Sequence, residues 1–219
     1  MAEQGDLVSA EAAAPGTVSR TLREVPPRPR PRRPRPGSAP ETATSGARLL
    51  LSGLGIDLES ESLRRTPERM AAALAELLTP RPFEPTTFPN DGGYDELIVA
   101  RGIPMRSLCE HHMLPFIGTA HIGYLPGERI LGLSKLARVL EHFSHRPQVQ
   151  ERLTTQVAGW LEEHLDPAGV GVVIEAEHLC MTLRGVQAPG TTTITSSLLG
   201  ALRNDGRSRA EFLALTHPR

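Results

Sequence analysis

Apolar and polar positions recur with two different periods from about residue 47 onward, and each period predicts one type of secondary structure. Apolar residues spaced three and four apart predict helices, with Thr66 and Ser134 as N-cap residues and Pro67 at a first helical position. The segments with this helical character are 47–54, 66–78, 134–143, 148–165 and 208–215.

Short runs rich in β-branched and apolar residues, bounded by glycine or polar residues, predict strands. These runs are 96–101, 116–124, 170–176 and 179–185. The core order is therefore strand, strand, helix, helix, strand, strand. This order is typical of an α+β fold.

A different composition marks the chain before residue 47. Residues 26–40 alternate proline with arginine, a pattern that can form neither helix nor sheet and cannot bury a core. Residues 1–46 hold seven arginines against five acids, about +2. We therefore predict a disordered, basic, Pro/Arg-rich extension at 1–46. A solvated tail is the simpler interpretation, and weak contact with nucleic acid or a proline-binding partner is the alternative.

The overall composition limits the functions to consider. The 219 residues suffice for one domain with an appendage, and a net charge of −1 does not favour nucleic-acid binding by bulk charge. Two cysteines are too few for a disulfide framework and point to a reducing compartment. No apolar run is long enough for a bilayer, and the N-terminus lacks the order of a secretion signal. We expect a cytoplasmic protein with no membrane and no nucleic-acid partner.

Two short segments far apart in sequence each combine a thiol with an imidazole. The first is Cys109-Glu110-His111-His112, and the second is His178-Leu179-Cys180. Thiolate and imidazole are ligands that zinc prefers, and the spacing of Cys109 and His112 lets one turn bind one ion. With Cys180 as a third ligand, the fourth tetrahedral position would stay open, as in catalytic zinc sites. His111 and His178 would then remain beside the metal as proton carriers.

The residue types alone leave other interpretations open. The zinc could be structural, or Cys109 and Cys180 could be small buried hydrophobic residues that bind no metal. His111 could form an exposed pair with its neighbour. Glu151 and other charged residues on the predicted helices could lie on solvated faces.

Six short blocks in a fixed order make the chain similar to the GTP cyclohydrolase I family. The blocks are Thr66–Arg69, Cys109–His112, Gly132–Arg138, Pro147–Leu153, His178–Met181 and Arg184–Val186. Their joint order and spacing are highly specific. The resemblance implies a T-fold, an antiparallel four-stranded sheet with two helices between the strand pairs, whose sheets join across subunits into a barrel. It also implies a ring-shaped homodecamer, with a helical region at 47–95 before a T-fold catalytic domain at 96–219.

The resemblance also implies a role for each residue of a site between subunits. One zinc ion per subunit would be held by Cys109, His112 and Cys180. His111 and His178 would be the catalytic histidines. Glu151, with Gln150 beside it, would bind the guanine base. The implied triphosphate contacts, some from a neighbouring subunit, are Ser134, Lys135, Arg138, Arg184 and Arg69.

The reaction implied by the resemblance converts GTP and water to 7,8-dihydroneopterin triphosphate and formate, the first step towards tetrahydrofolate and other pterins. Zinc can lower the pKa of water from about 15.7 towards about 7, and histidines that titrate near pH ~6.5 can move protons. A carboxylate at Glu151 can accept two N–H groups of guanine, for which adenine has no matching pair. Two other hypotheses are a related T-fold enzyme that acts on another pterin or a deazapurine, and a GTP-binding or scaffold protein with a structural zinc.

Overall fold

The computed structural model describes residues 41–216 of the chain. Its helices are α1 (Glu41–Gly53), α2 (Thr66–Leu77), α3 (Leu133–Ser144), α4 (Gln150–Leu165), α5 (Leu179–Thr182), α6 (Ala201–Asn204) and α7 (Gly206–Thr216). Its strands are β1 (Thr87–Pro89), β2 (Ile98–Cys109), β3 (Pro115–Leu125), β4 (Arg129–Leu131), β5 (Pro147–Gln148), β6 (Gly169–His178) and β7 (Thr192–Gly200). Across this range, every helix is too short or too polar to cross a membrane.

A sheet with the strand order β5-β2-β3-β6-β7 forms the centre of the fold. Its four long strands are antiparallel, and the two-residue strand β5 adds a parallel edge beside the end of β2. One irregularity interrupts β2 between Ala100 and Ile103, where Gly102 has a φ of +71° that glycine tolerates without strain. The predicted α+β class is confirmed, and α3 and α4 lie between the two strand pairs in sequence.

Helices α3 and α4 cover one face of the sheet because each carries an apolar stripe. In α4, Leu153, Val157 and Leu161 recur at helical spacing and are fully buried. They pack in one core with alternate residues of the strands, since every second side chain of a strand points to the same face. Strand residues of this core include Ile122, Tyr124, Val172, Ile174 and Ala176. The arrangement fixes the N-terminus of α4 near the ends of β2 and β6.

Several helix starts differ from the predictions, α4 and α7 by two residues each. Helix α1 begins at Glu41, so residues 41–46 are helical, and the rest of the predicted extension lies outside the described residues. Thr66 lies inside α2, because its N–H already donates to Leu63 O and Arg65 occupies the N-cap position. Ser134 is likewise not the cap of α3, since Gly132 holds that position and Leu133 begins the helix.

The predicted strand at 179–185 is wrong. Strand β6 ends at His178, and the chain turns at once into the single helical turn α5. The fourth long strand is instead β7, formed by a threonine- and serine-rich segment. The turn after α5 passes through Gly185 with a φ of +65°, and the N–H of Ala188 donates to Met181 O. Cys180, the second residue of α5, lies close to Cys109 at the end of β2.

Candidate active site

The site is built where β2 and β6 end on either side of β3. Cys109 is the last residue of β2, and the chain then makes a tight turn that returns as β3. The N–H of Met113 donates to Cys109 O at 2.8 Å, and the N–H of Cys109 donates to Leu114 O at 2.9 Å. Met113 has a φ of +54°, an uncommon conformation for a non-glycine residue. The turn therefore presents His111 and His112 immediately beside Cys109.

Cys109, His112 and Cys180 form a group that could hold a metal ion. Their ligand atoms lie within 4.8 Å of one another, and Cys109 Sγ is 3.9 Å from His112 Nδ1. Both cysteines are free and buried, whereas His112 is exposed. A tetrahedral zinc ion, with bonds of about 2.0–2.3 Å, holds its ligand atoms roughly 3.3–3.8 Å apart. The three side chains fit such an ion after a small closing movement.

The electrostatics of the two thiols also favour a cation at this position. Burial raises the pKa of Cys180, and the neighbouring Cys109 raises it further. Both effects disfavour the Cys180 thiolate, since burial and a neighbouring thiol penalise its charged form. A divalent ion between them would remove that penalty, since metal binding deprotonates a coordinating thiol.

His178 is held between an aromatic ring and an amide. Its ring stacks on Phe116, with centroids 4.6 Å apart and planes 1° from parallel. Its Nε2 lies 2.8 Å from Gln150 Oε1. Burial lowers the pKa of His178, and the charge of Glu151 partly opposes this effect. Around neutral pH the ring is therefore mainly neutral.

His111 is more exposed than His178 and lies beside a charged network. Its Nδ1 is 3.8 Å from Cys109 Sγ, and its Nε2 is 4.0 Å from a carboxylate oxygen of Glu110. Glu110 is ion-paired with Arg152, whose Nε also donates to Gln148 Oε1 at 2.9 Å. The turn that carries both histidines is thus attached to the first turn of α4.

The pocket beside these side chains has a volume of about 240 Å³. Seven predicted site residues line it: Cys109, His111, His112, Gln150, Glu151, His178 and Cys180. Gln148, Val149, Met181 and Thr193 line it as well and were not predicted. The first three are sequence neighbours of predicted residues, so proximity along the chain was an available signal. Thr193 enters from β7, a strand that was not predicted.

Gln150 was expected beside the base, but its side chain is 1% exposed and bonded to protein groups. Its Nε2 donates to Ile174 O at 3.0 Å and to Thr193 O at 2.8 Å. Its Oε1 faces His178. The amide of Gln150 therefore forms part of the pocket wall and is already hydrogen-bonded through both of its polar atoms.

The predicted triphosphate residues do not line the pocket of their own chain. Lys135 and Arg138 lie on α3, where Arg138 donates to a carboxylate oxygen of Glu141 at 3.0 Å. Arg184 follows α5, close enough to lower the pKa of Cys180 by its charge. The two other predicted contacts, also exposed or partly exposed, are Ser134 and Arg69.

The fold and the site together define a class of protein: an α+β protein with a Cys-His-Cys group that could hold a metal ion and two further histidines, at the ends of β2 and β6. The profile of the family described as GTP cyclohydrolase I matches residues 43–217, most of the chain. The chain belongs to the GTP cyclohydrolase I family.

Proteins named GTP cyclohydrolase 1 resemble the chain over most of their length. The protein of Aquifex aeolicus is 50% identical over 175 residues, which cover 80% of this chain and 95% of that protein. A Synechococcus protein is 52% identical over 181 residues, covering 77% and 76% of the two chains. The protein of Dictyostelium discoideum is 50% identical over 180 residues, covering 80% and 77%.

Proposed function

We propose that the protein is a zinc-dependent GTP cyclohydrolase I, a hydrolase that acts on the carbon–nitrogen bonds of a cyclic amidine. It would convert GTP and water to 7,8-dihydroneopterin triphosphate and formate, the first step of tetrahydrofolate and pterin biosynthesis. The observation that carries the proposal is one pocket that combines a Cys-His-Cys group with two further histidines and a carboxylate. Family membership and the names of the relatives agree with it.

The metal ligands of this proposal are Cys109, His112 and Cys180, with one Zn²⁺ ion per subunit. Three protein ligands are the number that catalytic zinc sites use, which leaves a coordination position for substrate or water. When bound, zinc would supply Lewis acidity and lower the pKa of a water molecule towards neutrality.

The two remaining histidines are suited to proton transfer. Opening the five-membered ring of guanine requires water at C8 and a proton on a ring nitrogen. His178 is mainly neutral and held rigidly, so we assign it to proton exchange with N7 of the base. We assign His111 to the later ring-opening and rearrangement steps, because it lies beside Cys109 and its side chain is exposed.

Glu151 would select guanine. Its carboxylate lies in the first turn of α4 and lines the pocket. A carboxylate can accept the ring N–H and the 2-amino N–H of guanine together, and adenine would leave it without such partners. Sites built on hydrogen bonds of this kind reject the wrong substrate strongly, since an unpaired polar group is costly.

The triphosphate would bind to cations contributed by more than one subunit of a homodecamer. We infer this from the absence of Lys135, Arg138 and Arg69 from the lining of the pocket in their own chain. Large exposed apolar side chains on the surface of the chain agree with a neighbouring subunit, because such side chains mark association surfaces. They include Ile117, Leu133, Leu183 and Ile194, each more than half exposed.

The proposed assembly also explains the division of the chain. We infer that residues 96–219 form the T-fold domain, whose sheets join across subunits into a barrel, and that residues 47–95 form a helical region before it. Two free cysteines as metal ligands require a reducing environment, and this supports a location in the cytoplasm.

The test is incubation of the purified full-length protein with GTP under anaerobic conditions, following fluorescence of the oxidised neopterin product. Product that disappears with a zinc chelator and returns with added zinc would support the enzyme and its metal together. A zinc-loaded, assembled protein that forms no product from GTP would contradict the proposal. In that case another pterin or a deazapurine would be tested as substrate.

A further inference from the structure

The side chain of Gln150 lies in contact with the ring of His178, and the proposed reaction gives Gln150 no role. The residue is the first of α4, and its side chain crosses from the helix to the middle of β6 and the start of β7. It contacts two strands and the ring of His178 at once. Such a placement is typical of a residue that orients another side chain.

The hydrogen-bond partners of Gln150 determine which way its amide points. Ile174 O and Thr193 O are backbone carbonyl oxygens, which only accept hydrogen bonds. The amide nitrogen must therefore face them, since a flipped amide would place its oxygen against two other oxygens. Oε1 is consequently the atom that faces His178 at 2.8 Å.

The orientation of the amide determines in turn which nitrogen of His178 carries a hydrogen. Oε1 can only accept, so the neighbouring Nε2 must donate and must carry the hydrogen. If Nδ1 carried it instead, two lone pairs would face each other at hydrogen-bond distance. In the neutral ring, Nδ1 is therefore the atom with the free lone pair.

A second contact fixes the plane of the same ring. Phe116 and His178 are cross-strand partners of β3 and β6, and their rings are stacked. Phe116 is fully buried in the core, so its neighbours restrict its movement. Stacking prevents the ring from tilting, and the bond to Gln150 prevents it from turning over.

We propose that Gln150 is a positioning residue that holds His178 as the Nε2–H tautomer, so that Nδ1 is the only ring nitrogen that exchanges a proton with substrate. Nε2 keeps its hydrogen in both the neutral and the protonated ring, and the bond to Gln150 persists throughout. The consequence for turnover depends on the proposed function, whereas the tautomer itself does not.

Solid-state ¹⁵N spectroscopy of zinc-loaded, full-length protein labelled on histidine tests the tautomer directly. The chain has eight histidines, and comparison with His178→Gln identifies the resonances of His178. Above the pKa of the ring, we expect a protonated Nε2 and an unprotonated Nδ1. A hydrogen on Nδ1 would overturn the proposal, and this result requires no change at Gln150.

Gln150→Met tests the positioning role, because methionine has a similar length but cannot accept the bond from Nε2. We expect His178 to populate both tautomers, and kcat to fall about 10- to 100-fold, part of the contribution of a positioned proton donor. The KM for GTP should change little, and the zinc content should remain one ion per chain. Unchanged tautomer and unchanged kcat would contradict the role.

Asn90→Leu is the matched control. Asn90 also donates through its amide to two backbone carbonyls, Tyr94 O and Gly127 O, but it does not line the pocket. The control should lose stability without a change in the His178 spectrum or in kcat. If the wild-type protein shows the Nε2–H tautomer but no activity on GTP, the proposed function fails and the positioning role stands.

Discussion

Recognition of guanine should depend most on the carboxylate of Glu151. Glu151→Gln keeps the size of the side chain but replaces one acceptor with a donor. We expect kcat/KM for GTP to fall about 10- to 100-fold, since hydrogen bonds to a charged group contribute about 1.5–3 kcal/mol. Steady-state kinetics with GTP measures the effect. Glu163→Gln changes an exposed residue of the same helix α4 and is the control. If both variants had the same kcat/KM for GTP, the role of Glu151 in binding guanine would be contradicted.

His145 should make folding sensitive to acid, because it is 4% exposed. Burial is the main cause that lowers its pKa; Arg106 and Arg81 lower it further, and Glu141 opposes them. The unfolded chain therefore binds more protons than the folded chain between the lowered pKa and about 6.5, and stability falls as pH falls through that window. Thermal unfolding of wild type and His145→Gln between pH 8 and 5 tests this. The difference in thermal midpoint between the wild type and His145→Gln should become smaller as the pH falls. A difference that stays constant with pH would contradict the prediction.

At the scale of elements, the aromatic side chain of Phe212 packs α7 against the sheet. Phe212 is fully buried, and a Cβ at Gly171 on β6 would lie 2.7 Å from its ring. Gly171→Ala should therefore destabilise the protein by about 1–3 kcal/mol, because the ring must shift. Gly159→Ala in α4 meets no atom within 4 Å and should stabilise by about 0.5–1 kcal/mol. Thermal midpoints at one protein concentration compare the two, and equal midpoints would contradict the packing argument.

Arg152 attaches the turn that carries His111 and His112 to α4. Arg152→Met removes the ion pair with Glu110 and leaves the fully buried Gln148 without one of its donors. We expect a loss of about 1–3 kcal/mol in stability, with faster release of zinc because the turn carries a ligand. Arg48→Met, which breaks an exposed pair with Glu68, should cost at most about 1 kcal/mol. Zinc release to a chelator measures the difference; identical rates would show that the turn needs no support from Arg152.

The sequence predicted best those features that depend on residues close together in the chain. The apolar stripe of α4 and the spacing of Cys109 and His112 are local, and both led to correct expectations about what lies together. The run after His178 was misleading, because four apolar or small residues suit a strand as well as a helical turn. β7 was missed because its threonines and serines lack an apolar alternation, and its pairing with β6 depends on distant residues.

The placement of the Gln150 side chain also lay beyond sequence reasoning. Its place next to Glu151 suggested contact with the base, but neighbours in the first turn of a helix point in different directions. Glu151 is exposed in the pocket, whereas Gln150 points to β6 and β7 and is buried. Only the register of β6 and β7 reveals which carbonyl oxygens receive its amide.

At the scale of the whole molecule, the separation of the cations of α3 from the pocket predicts that neighbouring subunits complete each other's sites. Lys135→Ala would then damage the pocket of a neighbour, while His178→Ala damages the pocket of its own chain. Each homogeneous variant should keep its assembly and zinc but lose turnover. If the two variants are mixed, dissociated and reassembled, pockets with both intact residues should appear. For random mixing in equal amounts, about a quarter of the pockets should be intact.

Recovered product formation in the mixture, measured by neopterin fluorescence, distinguishes shared sites from sites within one chain. If Lys135 served its own pocket, every chain in the mixture would still carry one damaged pocket, and activity would remain at the level of the parents. A mixture of His178→Ala with Glu151→Ala is the matched control, since both residues line the same pocket of one chain. That mixture should recover nothing, because each subunit supplies both residues to a single pocket.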